Sequence, residues 1–310
     1  MACAVLPGSP SLQDRLLRAF SSGFPLPDGL EPQLQGALAQ VLQFPGGLIR
    51  AQLVYQTARC FRVEEIPALK LATAIEYFHS ASLLFDDLPC MDNAKERRGA
   101  LCVHQVYGEA PAILASLALV NRAYSLLWSA LEGCSAESRA AALGYVERRL
   151  GVEGLLNGQS QDLNYALLSR EGLSAEKVAL SKTAPLIQLS LVLPALAGGA
   201  SAAERRLLER IALFWGLSYQ ILDDLKDVHR TVEWTGKTSE RDAMLNRPNV
   251  ALAIGAANAL LRIERLMRLA DRAVSALIRR QPALAFMDEV RLRFREEIAA
   301  IEGSGSASGL

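Results

Sequence analysis

Apolar residues recur along the chain at helical spacing in long runs, and glycine and proline mostly fall between these runs. This pattern is typical of an all-α protein. Neither an internal repeat nor a linker divides the chain, so we expect a single-domain helical bundle around a central cavity over residues 11–302. Residues 1–10 are expected to form a flexible arm, and the Gly/Ser-rich residues 303–310 a disordered tail. The predicted helices span residues 11–20, 31–42, 49–61, 64–85, 101–107, 110–131, 136–150, 152–168, 174–197, 202–225, 248–280 and 282–301.

Charge and cysteine content narrow the function classes. The chain has 33 basic and 33 acidic residues, so there is no electrostatic argument for nucleic-acid binding. Five cysteines are scattered without metal-type spacing, which favours reduced thiols and a cytoplasmic location. The sequence contains no uncharged stretch of about 18 residues with transmembrane character, so no transmembrane helix is expected.

A cluster of carboxylates ends the apolar run 64–85, and two arginines follow it. Pro89 lies inside the cluster, and a kink there could return the last carboxylate toward the first ones. Clustered carboxylates repel one another unless a cation or protons neutralise them, and Mg²⁺ prefers such oxygen ligands together with substrate phosphates. A solvated acidic helix end is the alternative interpretation. The cluster consists of Asp86, Asp87 and Asp92, followed by Arg97 and Arg98.

A second acidic cluster follows another apolar helical run. Asp223, Asp224 and Asp227 are spaced so that they share one helical face. Buried charges are normally paired or metal-bound, and chance seldom places two such clusters at the ends of apolar helices. The pair of clusters therefore predicts two facing walls of a site that holds a diphosphate on two or three Mg²⁺ ions.

These motifs together resemble the trans-isoprenyl diphosphate synthases, the polyprenyl synthetase family. Residues 76–92 with Arg97-Arg98-Gly99 resemble the family's first aspartate-rich motif, and residues 220–227 resemble the second. The resemblance covers about residues 40–260 and implies an isoprenoid synthase fold. Its smaller motifs are matched in order by Gly158-Gln159-Ser160-Gln161-Asp162-Leu163, Lys182-Thr183 and Gly236-Lys237.

The resemblance also implies roles for individual residues. The six aspartates would hold Mg²⁺. Together with Lys182 they would catalyse the ionisation of an allylic diphosphate. Small residues at Ala81 and Ser82 leave room for a product of about C15–C20, and a homodimer is implied, with helix 110–131 as a candidate interface. For Lys182, Lys237 and His79 the alternatives are a surface lysine, a loop charge and a core histidine. The implied diphosphate contacts are Arg97, Arg98, Lys182, Thr183, Gln220, Lys237, His79, Arg50 and Arg247.

One motif departs from the family. Where its members usually carry Gly-Gly-Lys-Arg, a motif that binds isopentenyl diphosphate, this chain reads Gly46-Gly47-Leu48-Ile49-Arg50. Each lost charge-assisted hydrogen bond should cost about 1.5–3 kcal/mol, so two would weaken binding by roughly two to four orders of magnitude. Arg50, Arg98 and His79 are left for that anion.

The departure keeps two other functions open beside prenyl coupling. One is a terpene synthase on the same fold, which cyclises or quenches the allylic cation without isopentenyl diphosphate. The other is a non-catalytic subunit of a heteromeric prenyl synthase. The presence of all six motif aspartates argues against the non-catalytic subunit. We favour coupling of the allylic cation to isopentenyl diphosphate, because most chains that resemble this family are synthases.

Overall fold

The computed structural model describes residues 10–168, 174–235 and 247–307. The chain divides into two compact units, Met1–Ser135 and Ala136–Leu310. Almost all of the predicted arm, residues 1–9, lies outside the described residues, as do residues 169–173, 236–246 and 308–310.

The first unit is built on a central buried helix. Helix α4 packs against α3 and α6 and is buried on most of its circumference, which explains why its sequence shows no polar face. Helix α1 begins at a capping box in which Ser11 and Asp14 satisfy each other's backbone N–H groups. The helices of this unit are α1 Leu12–Ser22, α2 Pro32–Gln43, α3 Ile49–Cys60, α4 Glu65–Asp86, α5 Val103–Tyr107 and α6 Glu109–Leu131.

A short β-hairpin interrupts the helices of the first unit. Strands β1, Glu96–Arg97, and β2, Ala100–Leu101, are antiparallel, with Arg97 opposite Ala100. Arg98 and Gly99 form the two-residue loop with φ of 56° and 78°, and positive φ at both positions is what such tight hairpins favour. The sequence prediction missed this hairpin and started a helix at Leu101, because strands of two residues leave no alternating pattern.

The second unit is also helical. Helix α9 lies at its centre, in contact with α7, α8 and α10, and continues through Pro185 and Pro194. Helix α10 packs against both α9 and α12. The helices are α7 Ala136–Leu150, α8 Leu155–Leu163, α9 Ala175–Ala197, α10 Ala202–Thr235, α11 Val250–Ile254, α12 Ala256–Arg280, a 3-10 turn at Pro282–Phe286, and α13 Met287–Ala307.

Several boundaries differ from the predictions. Helix α10 extends to Thr235, beyond the predicted end at residue 225, because no glycine or proline interrupts residues 226–235. Gly255 adopts φ of 84° and divides the predicted helix 248–280 in two. Helix α13 continues to Ala307, where a disordered tail was predicted, since glycine costs a helix only about 1 kcal/mol.

Two helices are long and apolar enough to cross a membrane by length and composition, although none was predicted. The apolar window of α9 is 72% buried inside the protein, whereas that of α6 is 39% buried. Buried core helices also have this length and composition. We therefore interpret α9 as a core helix, whereas α6 leaves much of its apolar surface exposed.

Candidate active site

The first acidic cluster lies in a turn that folds back on the end of α4. The helix ends at Asp86, two residues before Leu88, as expected because a residue that precedes proline disfavours helical geometry. Asp92 N–H then donates a 2.9 Å hydrogen bond to the carbonyl of Asp86. A turn, not the predicted kink, therefore returns Asp92 to Asp86. Both side chains are half-buried.

Asp87 differs from its two neighbours in the cluster. It is only 3% exposed, and its Oδ1 accepts hydrogen bonds from Arg97 Nε at 3.0 Å and Nη2 at 2.6 Å. Burial lowers the pKa of Arg97, but the hydrogen bond and charge of Asp87 outweigh it and the pKa rises. Arg97, predicted to contact a diphosphate, is therefore the counter-ion of Asp87 in this structure.

Two arginines and a histidine lie near the first turn of α3. Arg50 Nη1 lies 3.0 Å from His79 Nε2, and Arg98 Nη1 donates a 3.0 Å hydrogen bond to the carbonyl of Phe44. The loop before α3 fits closely around Arg98, because a Cβ at Gly46 would lie 2.7 Å from its guanidinium carbon. The structure thus brings together Arg50, His79 and Arg98, the three groups predicted to bind the isopentenyl diphosphate anion.

Glu76 belongs to the same group, although sequence reasoning gave it no role. It is 2% exposed, and its Oε2 accepts a 3.1 Å hydrogen bond from Ala51 N–H in the first turn of α3. That turn lacks a side-chain cap of its own, so Glu76 satisfies one of its unpaired donors. Burial raises the pKa of Glu76, while Arg50 and Arg98 oppose the rise. A glutamate inside an apolar helix was the available signal.

The second acidic cluster separates into exposed and buried members. Asp223 and Asp227 are exposed, whereas Asp224 is buried. Asp224 accepts hydrogen bonds from Gln220 Nε2 at 2.8 Å and from Val250 N–H at 2.6 Å. The three positions lie on one side of α10, as their spacing predicts, but helical spacing alone does not show that Asp224 is the one that meets the core.

Gln220 and Thr183 belong to the chain of hydrogen bonds that ends at Asp224. Thr183 Oγ1 donates to Gln220 Oε1 at 2.6 Å, which leaves the Gln220 amide nitrogen facing Asp224. The structure therefore places both predicted residues beside the buried aspartate.

Lys182 is held at the contact between α8 and α9. Its ammonium lies 2.8 Å from Asp162 Oδ2, and Arg247 Nε lies 3.9 Å from the same oxygen. A Cβ at Gly158 would stand 2.3 Å from the backbone of Ser181, so glycine permits the approach of α8 that brings Asp162 to Lys182. Lys237, the remaining predicted cation, lies outside the described residues.

Known proteins resemble this chain over most of its length. The sequence profile of the polyprenyl synthetases matches residues 31–274. The chain belongs to the polyprenyl synthetase family. It is 39% identical over 209 residues to a geranylgeranyl diphosphate synthase of Pseudescherichia vulneris, covering 67% of each chain.

Solved structures agree with the sequence comparison. An FPP/GFPP synthase of Zymomonas mobilis matches with a TM-score of 0.74 and 27% identity, over 88% of this chain and 92% of that one. A geranyltransferase of Helicobacter pylori, described as complexed with magnesium and isoprenyl diphosphate, matches with a TM-score of 0.73 and 25% identity over 94% of each chain. The predicted all-α isoprenoid synthase fold and the predicted family are therefore confirmed.

The two small residues of α4 that were predicted to limit product length differ in burial. Ala81 is 1% exposed and buried in the first unit. Ser82 is half-buried, and its hydroxyl donates to the carbonyl of His79 at 2.9 Å. Of the two positions predicted to limit product length, Ser82 is therefore the less buried one.

The carboxylates fit magnesium when they are considered as pairs. Among the residues that the structure describes, no three acidic, histidine or cysteine side chains lie close enough to form a complete metal site. Asp86 with Asp92, and Asp223 with Asp227, each offer two accessible carboxylates. Since Mg²⁺ is usually held by one or two carboxylates and by substrate phosphates, each pair fits such an ion.

Proposed function

We propose that the protein is a magnesium-dependent, short-chain isoprenyl diphosphate synthase. It ionises an allylic diphosphate, with release of inorganic diphosphate, and couples the resulting cation to the alkene of isopentenyl diphosphate. Loss of a proton then gives a product of about C15–C20. The observation that carries this proposal is the presence of two accessible carboxylate pairs at the motif positions of a polyprenyl synthetase.

Asp86, Asp92, Asp223 and Asp227 would hold two or three Mg²⁺ ions. When bound, Mg²⁺ neutralises the charge that develops on the departing diphosphate. The other two motif aspartates act indirectly: Asp87 orients Arg97, and Asp224 fixes Gln220 and the start of α11. This division of roles follows from the burial of Asp87 and Asp224, which are each 3% exposed.

Cationic side chains stabilise the leaving diphosphate. Lys182 is about one quarter exposed and is oriented by Asp162, so it can meet a phosphate oxygen while its carboxylate partner keeps it in place. Arg97, Arg247, Thr183, Gln220 and Lys237 are the further contacts that the family motifs support. Preorganised charges of this kind lower the barrier to ionisation without reorganisation cost.

Arg50, Arg98 and His79 form the proposed site for the diphosphate of the isopentenyl acceptor. Leu48 is 1% exposed and Ile49 is 61% exposed, and neither side chain can bind an anion. We expect a higher KM for isopentenyl diphosphate than in an enzyme whose loop carries two cations there.

We also propose a homodimer and a cytoplasmic location. A row of apolar side chains on α6 is exposed at spacings of three, seven and four residues, which places them on one face. Size-exclusion chromatography with light scattering tests the dimer, and fractionation of the native cells tests the location. The row consists of Leu114, Leu117, Tyr124 and Trp128.

The function is tested by incubating the purified protein with Mg²⁺ and geranyl or farnesyl diphosphate, with and without isopentenyl diphosphate. Products are identified by gas chromatography with mass spectrometry after dephosphorylation. Longer diphosphates that form only with isopentenyl diphosphate support a synthase. Hydrocarbons or alcohols that form without it would indicate a terpene synthase, and no turnover would indicate a partner-dependent subunit.

A further inference from the structure

The contact between Arg50 and His79 determines which nitrogen of the imidazole carries the proton. Arg50 Nη1 lies 3.0 Å from His79 Nε2. A guanidinium has only donors, so Nε2 must accept, and a neutral imidazole with an accepting Nε2 carries its proton on Nδ1. Burial, together with the charges of Arg50, Arg98 and Arg97, lowers the pKa of His79 well below its usual value. The ring is therefore neutral at pH 7.

His79 Nδ1 is buried and makes no hydrogen bond to any residue that the structure describes. Buried N–H groups are nearly always paired, so a donor left unpaired beside three arginines indicates a missing anionic partner. A diphosphate oxygen is an acceptor of the required kind.

The backbone around Arg50 is fixed independently of a ligand. Glu76 anchors the first turn of α3 through Ala51 N–H, one residue after Arg50. Leu48, which precedes that turn, is buried and adopts a left-handed φ of 50°. These contacts limit the positions that the Arg50 guanidinium can take relative to His79.

We propose that Arg50 is a positioning residue that holds His79 as a neutral Nδ1–H donor to the acceptor diphosphate. The proposal rests on the proposed function, because the acceptor is isopentenyl diphosphate. It gives the site a further hydrogen-bond donor where Leu48 and Ile49 provide none. It also gives Arg50 two tasks, one as a positive charge near the anion and one through the imidazole.

The tautomer can be measured directly because the chain contains only three histidines. A long-range ¹H–¹⁵N spectrum of labelled protein at pH 7 resolves their rings, and the signal lost in His79→Asn assigns His79. We expect a pyrrole-like Nδ1 and a pyridine-like Nε2. A wild-type ring protonated at Nε2 would overturn the proposal. On addition of isopentenyl diphosphate the Nδ1–H resonance should shift, and a resonance unchanged up to millimolar ligand would contradict the proposal.

Arg50→Met removes the donor and keeps an apolar stem, and Arg18→Met at an exposed position of α1 is the matched control. In Arg50→Met we expect a mixture of His79 tautomers and a rise of about 10- to 100-fold in KM for isopentenyl diphosphate. The KM for the allylic diphosphate should stay within about twofold, and Arg18→Met should change neither quantity. An unchanged tautomer in folded Arg50→Met would show that Arg50 does not position the ring.

Two further variants test the identity of the donating nitrogen. The amide nitrogen of His79→Asn can occupy the place of Nδ1, whereas that of His79→Gln reaches the place of Nε2. His79→Asn should therefore keep the lower KM for isopentenyl diphosphate, and the opposite order would argue for donation from Nε2. If the wild type forms no elongated product, the proposed function fails, while the tautomer and its response to ligand still decide the role of Arg50.

Discussion

Val250 N–H donates a 2.6 Å hydrogen bond to Asp224 Oδ2, and so ties the start of α11 to the second acidic motif on α10. Gln220 Nε2 occupies the other carboxylate oxygen at 2.8 Å. One aspartate of the motif thus serves as a structural acceptor, while its neighbours Asp223 and Asp227 are exposed.

Replacing Asp224 should reduce stability more than it affects magnesium use. Asp224→Asn turns an amide N–H toward one of two donors, so we expect unfolding to become easier by about 1–3 kcal/mol. Asp227→Asn, the matched variant at an exposed position, should leave stability within about 0.5 kcal/mol but raise the Mg²⁺ concentration needed for half-maximal rate. Urea unfolding and initial rates against Mg²⁺ separate the two effects. A wild-type unfolding curve for Asp224→Asn with an increased Mg²⁺ requirement would contradict this assignment.

The ion pair between Asp87 and Arg97 should couple the hairpin to the end of α4. Arg97→Met leaves a buried carboxylate unpaired and should cost about 2–3 kcal/mol of stability, less than a fully buried pair because Arg97 is partly exposed. The double variant Asp87→Asn, Arg97→Met should lose less than the sum of the single losses. Urea unfolding of the four proteins measures the coupling, and additive losses would show that the pair contributes nothing.

The sequence predicted most helices and the family, because apolar periodicity and aspartate motifs are local signals. The sequence could not predict which residues of the motifs are buried. Asp223 and Asp224 are adjacent in sequence, yet one is exposed and the other is buried under α11, which depends on packing between distant segments. Glu76 was overlooked for the same reason, since its partner Ala51 lies 25 residues away. The hairpin at Arg98-Gly99 was too short to leave a pattern.

Gly158 should be intolerant of a side chain. In Gly158→Ala the new Cβ would meet the backbone of Ser181, and backbone cannot move aside as a flexible side chain can. We expect a loss of about 1–3 kcal/mol and a raised KM for the allylic diphosphate, since Asp162 would move away from Lys182. Gly144→Ala in α7 is the control, because its Cβ would meet only the Arg148 guanidinium at 3.4 Å. That variant should be as stable as the wild type or slightly more stable, and equal behaviour of the two variants would contradict the packing argument.

Product length should respond to bulk at Ser82. Ser82 is only half-buried, so Ser82→Phe should shorten the product at a smaller cost in stability than a change at Ala81. Ala81→Phe is also expected to shorten it, but at a cost of about 1–3 kcal/mol because Ala81 is fully packed. Products are compared by chromatography after dephosphorylation, with Ser82→Ala as the control. An unchanged product distribution in both phenylalanine variants would show that these positions do not form the floor of the pocket.

Cysteine reactivity should report occupancy of the first acidic motif. Cys90 is exposed in the turn between Asp86 and Asp92, whereas burial raises the pKa of Cys60 to about 11. At pH 8 only about one part in a thousand of Cys60 would be thiolate, so iodoacetamide should modify Cys90 far faster. Mg²⁺ with inorganic diphosphate should slow the labelling of Cys90, measured by peptide mass spectrometry, and leave that of Cys60 unchanged. The same labelling rate of Cys90 with and without these ligands would place the magnesium site away from the turn.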